Sequence, residues 1–237
     1  MEPREGRSAE DVGAALERIE AEVDAGSTDL RALGFWRLVE RVKRDPGLVA
    51  LHADRIGRID RAAFLAWVGR RRISAGVGTG VLALGALGGL AAAVAATAVR
   101  SPTWSGLLLV GAGASWSVTL HAPTHHLVGR LVGIRFTDYF LGGPPPPRPG
   151  IKTDYATYLR ADPVARAWMH ASGAIATKLA PFAALSFYPA SAAPAWAAVA
   201  LVVLGVAQIV TDAVFSVRSS DWKKVRRELR VARERRP

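Results

Sequence analysis

Three of the five histidines in this 237-residue chain fall within six residues, in the segment His121-Ala-Pro-Thr-His125-His126. His121 and His125 are four residues apart, so a helix would place both imidazoles on one face, one turn apart. That spacing allows two histidines to ligate one metal ion. His126 is rotated about 100° from His125, which favours a packing or hydrogen-bonding role. The sequence therefore predicts a metal site at His121 and His125.

Asp212 is the residue that we expect to complete this site. It lies about 9 Å from the end of the last apolar run, and His121 and His125 lie about 7–13 Å from the end of theirs, at 1.5 Å per residue. Two neutral histidines and one carboxylate are a familiar ligand set for catalytic zinc, with the fourth position left to water. We therefore predict Zn²⁺ bound by these three residues. The alternative is an ion pair between Asp212 and Lys178 or an arginine. His170, which lies a few residues inside the corresponding end of its own apolar run, would then be a core or interfacial histidine.

Long apolar segments must position these side chains, and they run over residues 73–99, 104–128, 164–188 and 194–217. Because about 20 apolar residues cross a bilayer, we predict an all-α, polytopic membrane protein with about four transmembrane helices, embedded in a lipid bilayer. The membrane domain would span residues 73–217. The chain contains no cysteine, which excludes disulfides, thiolate zinc sites and cysteine nucleophiles.

The other segments are polar. Residues 1–72 are predicted to be a soluble region of about three helices, and the loop 129–163 to be an extended, proline-rich connector ending in a short helix at about 154–162. The tail, 218–237, reads as a basic helix attracted to anionic lipids. Loop and tail carry most of the net charge of +11, so the positive-inside rule places them and both termini in the cytoplasm, beneath the plasma membrane. Since topology accounts for this charge, no nucleic-acid partner is expected.

The histidine segment resembles the active-site helix of the site-2 protease family of intramembrane zinc metalloproteases. That family has H-E-x-x-H in one core span, then an arginine, a Gly-Ile pair and a segment with Gly-Gly, and this chain has His121 to His125, Arg130, Gly133-Ile134 and Gly142-Gly143. The segment 171–177 is more weakly similar to the A-G-P-x-x-N segment of the family. The resemblance implies an intramembrane metalloprotease fold, zinc ligated by His121, His125 and Asp212, and a transmembrane protein as substrate or partner.

Ala122 departs from the family pattern, because the family has at this position the glutamate that acts as general base. No glutamate occurs between Glu40 and Glu228. His126 and His170 are the nearby groups that could replace it as catalytic residues, together with the loop carboxylates Asp138 and Asp154. Asp212 is followed by alanine where the family has glycine, and Thr177 replaces its asparagine. We therefore expect lost or altered peptidase activity, that is, a pseudoprotease or a modified protease.

Two other classes of function stay open from the sequence. A non-catalytic membrane scaffold would use the N-terminal helices, the proline-rich loop and the basic tail to dock partners, with structural histidines. A proton-coupled transporter would use Lys178 and Asp212 within the membrane. A bound metal distinguishes the metalloprotein from both.

Overall fold

The structure, a computed structural model, describes residues 3–142, 148–214 and 220–235, with the side chains of 3–9 and 148 excepted. Within these ranges the helices are α1 (Pro3–Asp24), α2 (Phe35–Val42), α3 (Pro46–Val68), α4 (Ala75–Ala98), α5 (Pro102–Thr119), α6 (His121–Leu131), α7 (Tyr155–Arg160), α8 (Pro163–Leu185), α9 (Ala195–Val214) and α10 (Asp221–Glu234). The strands are β1 (Arg72–Ser74), β2 (Phe136–Gly142) and β3 (Arg148–Thr153), and a 3₁₀ turn covers Tyr188–Ala190. The prediction of a helical protein is confirmed, with a small sheet that was not predicted.

The chain forms two compact units. The charged unit comprises Met1–Ala75, Arg130–Arg166 and Glu228–Pro237, and the apolar unit comprises Gly76–Gly129 and Ala167–Arg227. Residues 1–72, which we expected to form a region of their own, thus share the charged unit with most of the predicted loop and the end of the tail.

The first three helices of the charged unit pack around one apolar core. Fully buried members of this core include Leu16 on α1, Phe35 and Val39 on α2, and Ile56 on α3. Helix α3 begins at a proline, and the carboxylate of Asp45 caps it by accepting hydrogen bonds from the next turn. α7 packs on α3 at Gly57, where an added Cβ would lie 2.8 Å from the Cβ of Ala156. The glycine therefore allows the close approach of these helices.

The three strands form one antiparallel sheet in the order β1–β2–β3. Both β2 and β3 lie in the segment that we predicted to be an extended connector. Asp138 on β2 is 2 % exposed, and it accepts hydrogen bonds from Arg61 on α3 and from Arg72 on β1. The predicted helix at 154–162 is confirmed as α7. The four consecutive prolines, 144–147, lie outside the described residues.

The end of α10 is held in the charged unit by a buried carboxylate. Glu228 is fully buried and contacts the ammonium of Lys43 at 2.8 Å, Nε of Arg166 at 2.7 Å and the hydroxyl of Tyr158 at 2.8 Å. Lys43 and Arg166 are also fully buried. Removing one member of such a group leaves an uncompensated charge in the interior, which is costly.

Small residues allow close packing in the apolar unit. Its core contains Ala93, Leu109, Ala112 and Leu201, among others. An added Cβ at Gly113 would lie 2.5 Å from Cδ2 of Leu201. Helices that approach so closely are typical of membrane bundles, where small residues lie at the interfaces.

Two helices of the apolar unit, α4 with 24 residues and α9 with 20, are long and apolar enough to cross a membrane. The predicted four spans are thus not confirmed. The second apolar segment does not continue to residue 128, because α5 ends at Thr119 after 18 residues. The third, α8, carries Lys178 and an internal proline, Pro181.

Candidate metal centre

The helical hydrogen bonds are interrupted just before the histidines, so helix α6 begins at His121. Pro123 has no N–H, so it cannot donate to the carbonyl of Thr119, the last residue of α5. The hydrogen-bond ladder resumes with Thr124, whose N–H donates to the carbonyl of Leu120 at 3.1 Å. His121 and His125 therefore lie one turn apart at the start of α6, with ring centroids 4.7 Å apart.

One face of α8 holds both imidazoles in place. Met169, Gly173 and Thr177 lie at four-residue intervals and so share this face. The carbonyl of Met169 and the hydroxyl of Thr177 contact the two rings. Gly173 leaves the space that His125 occupies, because an added Cβ would overlap the imidazole.

The hydrogen bonds assign the same tautomer to both histidines. Nδ1 of His125 lies 2.6 Å from the carbonyl oxygen of Met169, which can only accept, so Nδ1 carries the proton. Nδ1 of His121 lies 2.9 Å from Oγ1 of Thr177. That hydroxyl donates its own proton to the carbonyl of Gly173 at 2.9 Å, so it accepts from His121. Each neutral ring is therefore left with a lone pair on Nε2, the form that ligates a metal.

Asp221, the first residue of α10, brings a carboxylate to these two nitrogens. Its Oδ2 lies 3.3 Å from Nε2 of His121 and 3.3 Å from Nε2 of His125. Oδ1 of Asp221 accepts a hydrogen bond from the ammonium of Lys224 at 2.9 Å, and this positive charge favours the ionised form of the carboxyl.

The three atoms fit a tetrahedral zinc ion. The two Nε2 atoms are 3.3 Å apart, so all three distances between the potential ligand atoms are 3.3 Å. The edge of a tetrahedron is about 1.63 times its centre-to-corner distance, so zinc bonds of about 2.0–2.1 Å place ligand atoms roughly 3.3–3.4 Å apart. The side chain of His125 is buried, whereas that of His121 is 41 % exposed. The group thus supplies three corners of a tetrahedron, with solvent access beside His121.

Asp212 is not part of this group. Its Oδ2 lies 2.7 Å from the ammonium of Lys178, so the carboxylate on α9 forms an ion pair with α8. The structure therefore brings together His121 and His125, as predicted, with Asp221 in the place expected for Asp212. The sequence offered one signal for Asp221, an isolated acid at the start of a basic segment, but we interpreted that segment as a surface helix.

The two histidines considered as catalytic residues have different surroundings. Nδ1 of His126 lies 2.8 Å from the hydroxyl of Thr79 on α4. The ring of His170 lies on α8, with its centroid 6.5 Å from that of His125. Neither belongs to the group of three potential ligands.

No protein-family model matches the chain, and comparisons with curated proteins and with solved structures found no match.

Proposed function

We propose that this chain is an integral membrane zinc protein in which His121, His125 and Asp221 hold the metal and the fourth position stays open. One observation carries the proposal: three proton-free ligand atoms converge with equal separations of 3.3 Å. Three protein ligands with an open position are the arrangement of catalytic zinc sites. Hydrogen bonds that fix each Nδ1–H are the usual support of zinc-bound histidines.

The membrane location is supported by the outer surface of the apolar unit. Helix α4 exposes large apolar side chains along its length, and so does α9; among them are Val81, Leu84, Val94, Val199, Val203 and Val210. Soluble proteins rarely expose contiguous apolar areas of this kind. We infer that α4 and α9 cross the bilayer, with both termini on the cytoplasmic side of the plasma membrane, where the positive-inside rule places basic segments.

For the reaction, we propose a site-2-protease-like metalloprotein with lost or altered peptidase activity, acting on or holding a transmembrane protein segment. A zinc ion in such a site polarises a carbonyl group and lowers the pKa of bound water. The residues of the chain orient the ligands: Met169 fixes His125, and Thr177 fixes His121. Ala122 cannot exchange protons, and His126 is engaged by Thr79. We propose His170, whose ring centroid lies 6.5 Å from that of His125, as the group that transfers a proton.

A non-catalytic scaffold is the second candidate, and Ala122 is the observation that favours it. In this case the two histidines, without zinc, would keep α6 and α8 together, and the protein would retain a transmembrane partner without cleaving it. The substitution Ala122→Glu separates the two hypotheses. The new glutamate can act as the general base of the family pattern only if zinc is already bound, so peptide cleavage by this variant would support the metalloprotein and not the scaffold.

Metal content is the direct test of the proposed site. The detergent-purified protein should contain about one zinc per chain by elemental mass spectrometry, and Co²⁺ in its place should give the absorption bands of a tetrahedral site. His125→Ala should lose the metal, whereas His52→Ala, which changes a histidine of the charged unit, should keep it. A metal-free wild-type protein, purified without chelators, would contradict the proposal.

A further inference from the structure

A recess beside the end of α9 is lined by three cationic side chains and one carboxylate. Its volume is about 480 Å³, and Lys178, Asp212, Trp222, Lys223 and Arg226 contribute to its wall. Clefts of roughly 300–1,000 Å³ are the size in which proteins bind small molecules. All of these residues belong to the apolar unit.

The positive charge of the recess comes from α10. Lys178 is neutralised by Asp212 at 2.7 Å. Lys223 and Arg226 are exposed, and in the described ranges no carboxylate lies within ion-pair distance of either side chain. Spaced three residues apart, they lie on one face of the helix. Two unneutralised cations on one wall suit a phosphate group, which accepts charge-assisted hydrogen bonds from lysine and arginine.

Another part of the wall is apolar. Ile209 and Val214, near the end of α9, line the recess and are 46 % and 67 % exposed. Trp222 adds an indole, the side chain that is enriched where a membrane meets water. A free anion needs only the cationic wall, whereas a phospholipid uses both, because its headgroup carries phosphate and its glycerol and acyl part is apolar.

We propose that this recess binds the headgroup of an anionic phospholipid, with its phosphate on Lys223 and Arg226 and its apolar part along the end of α9. The assignment of the ligand as a lipid rests on the proposed membrane location of α9, but not on zinc binding. Lys223 and Arg226 lie on α10 beside Asp221, yet they contact neither histidine of the metal centre. The two sites can therefore be tested separately.

Native mass spectrometry of the detergent-purified protein tests this assignment, with phosphatidylglycerol, phosphatidylcholine and inorganic phosphate as probes. The wild type should retain one phosphatidylglycerol at least ten-fold more tightly than phosphatidylcholine. The double variant Lys223→Gln/Arg226→Gln should lose this preference. The matched control Arg230→Gln/Arg233→Gln removes two charges from the same helix outside the recess, and it should bind as the wild type does.

Three results would overturn the proposal. If both double variants bind phosphatidylglycerol more weakly by the same factor, the lipid is attracted by the overall charge of the tail and there is no defined site. Inorganic phosphate that binds as tightly as phosphatidylglycerol would identify a free-anion site. Unchanged binding in Lys223→Gln/Arg226→Gln would place the lipid elsewhere. Zinc content, measured on the same samples, should not differ between the variants, so failure of the lipid site and failure of the metal site are distinguishable.

Discussion

The Nε2 atoms of His121 and His125 lie 3.3 Å apart, although the hydrogen bonds of both rings place their protons on Nδ1. Two lone pairs at this distance repel each other, and the carboxylate of Asp221 adds a negative charge at the same distance. A cation between the three atoms removes the repulsion. A metal ion is favoured over a proton because it can accept all three lone pairs at once.

Thr177 should control zinc affinity without touching the metal. Thr177→Val keeps the shape of the side chain but removes the acceptor for Nδ1–H of His121. Loss of such a supporting hydrogen bond weakens metal binding by about 10- to 100-fold. Competition with a chelator of known affinity measures this, and Thr177→Ser, which keeps the hydroxyl, should bind nearly as the wild type does. Equal affinity of the valine variant and the wild type would mean that Thr177 does not position His121.

Gly173 should be essential to the site for steric reasons. The Cβ of Gly173→Ala would overlap the imidazole of His125, so the ring must move away from its partners. We expect loss of zinc and a lower melting temperature in detergent. Gly88→Ala is the matched control, since an added Cβ on that helical glycine meets nothing within 4 Å. If both variants keep zinc, α8 does not pack against His125 as described.

Glu228 should dominate the stability of the charged unit. Glu228→Gln removes the carboxylate that lies closest to the buried cations Lys43 and Arg166, and breaking a buried ion pair costs about 3–5 kcal/mol of unfolding free energy. Glu234→Gln on the same helix removes an exposed pair with Arg44, which is worth about 1 kcal/mol or less. Denaturant unfolding of the two variants checks this difference. Similar, small effects would show that Glu228 is not the anchor of α10.

The pKa of Glu228 predicts how the stability of the fold depends on pH. Burial raises the pKa of Glu228, but Lys43 and Arg166 outweigh it and lower the pKa to about 2 from an ordinary value of 4.5. A lowered carboxyl pKa stabilises the fold above pH 4.5, and this contribution is lost as the pH falls towards 2. It amounts to about 3 kcal/mol at neutral pH. Glu228→Gln should therefore flatten the loss of stability between pH 4.5 and 2.

The absence of cysteine makes the membrane location easy to test. Leu84→Cys on α4 replaces a side chain that is 70 % exposed, and Arg233→Cys lies in the tail. In lipid nanodiscs, a water-soluble maleimide should label Arg233→Cys but not Leu84→Cys, because lipid covers α4. Detergent and denaturant should then expose both. Rapid labelling of Leu84→Cys in nanodiscs would contradict the proposed span.

The sequence predicted those parts of the site that depend on local spacing. His121 and His125 are one helical turn apart, so any helix through them places both imidazoles on the same face. Asp221 was missed because it lies 96 residues after His125, and only the packing of α10 brings it to α6. Local pattern could not place it, and Asp212, in a more apolar context, was the more obvious choice.

The sheet was missed for a different physical reason. Strands are recognised from alternating apolar and polar residues, but β2 has Asp138 at an inward position, where two arginines neutralise it. The buried carboxylate breaks the apolar alternation. The apolar helices were easier to predict, since length and composition define them, but composition alone did not show the break that Pro123 causes.

The most direct test of the proposed metal centre compares Asp221→Asn with Asp212→Asn. Both remove one negative charge by an isosteric change, and the structure places the first carboxylate beside the two histidines and the second in an ion pair with Lys178. We predict about one zinc per chain in the wild type and in Asp212→Asn, and little zinc in Asp221→Asn, by elemental mass spectrometry of purified protein. Loss of zinc in Asp212→Asn, with zinc retained in Asp221→Asn, would contradict the site and restore the ligand set that the sequence alone suggests.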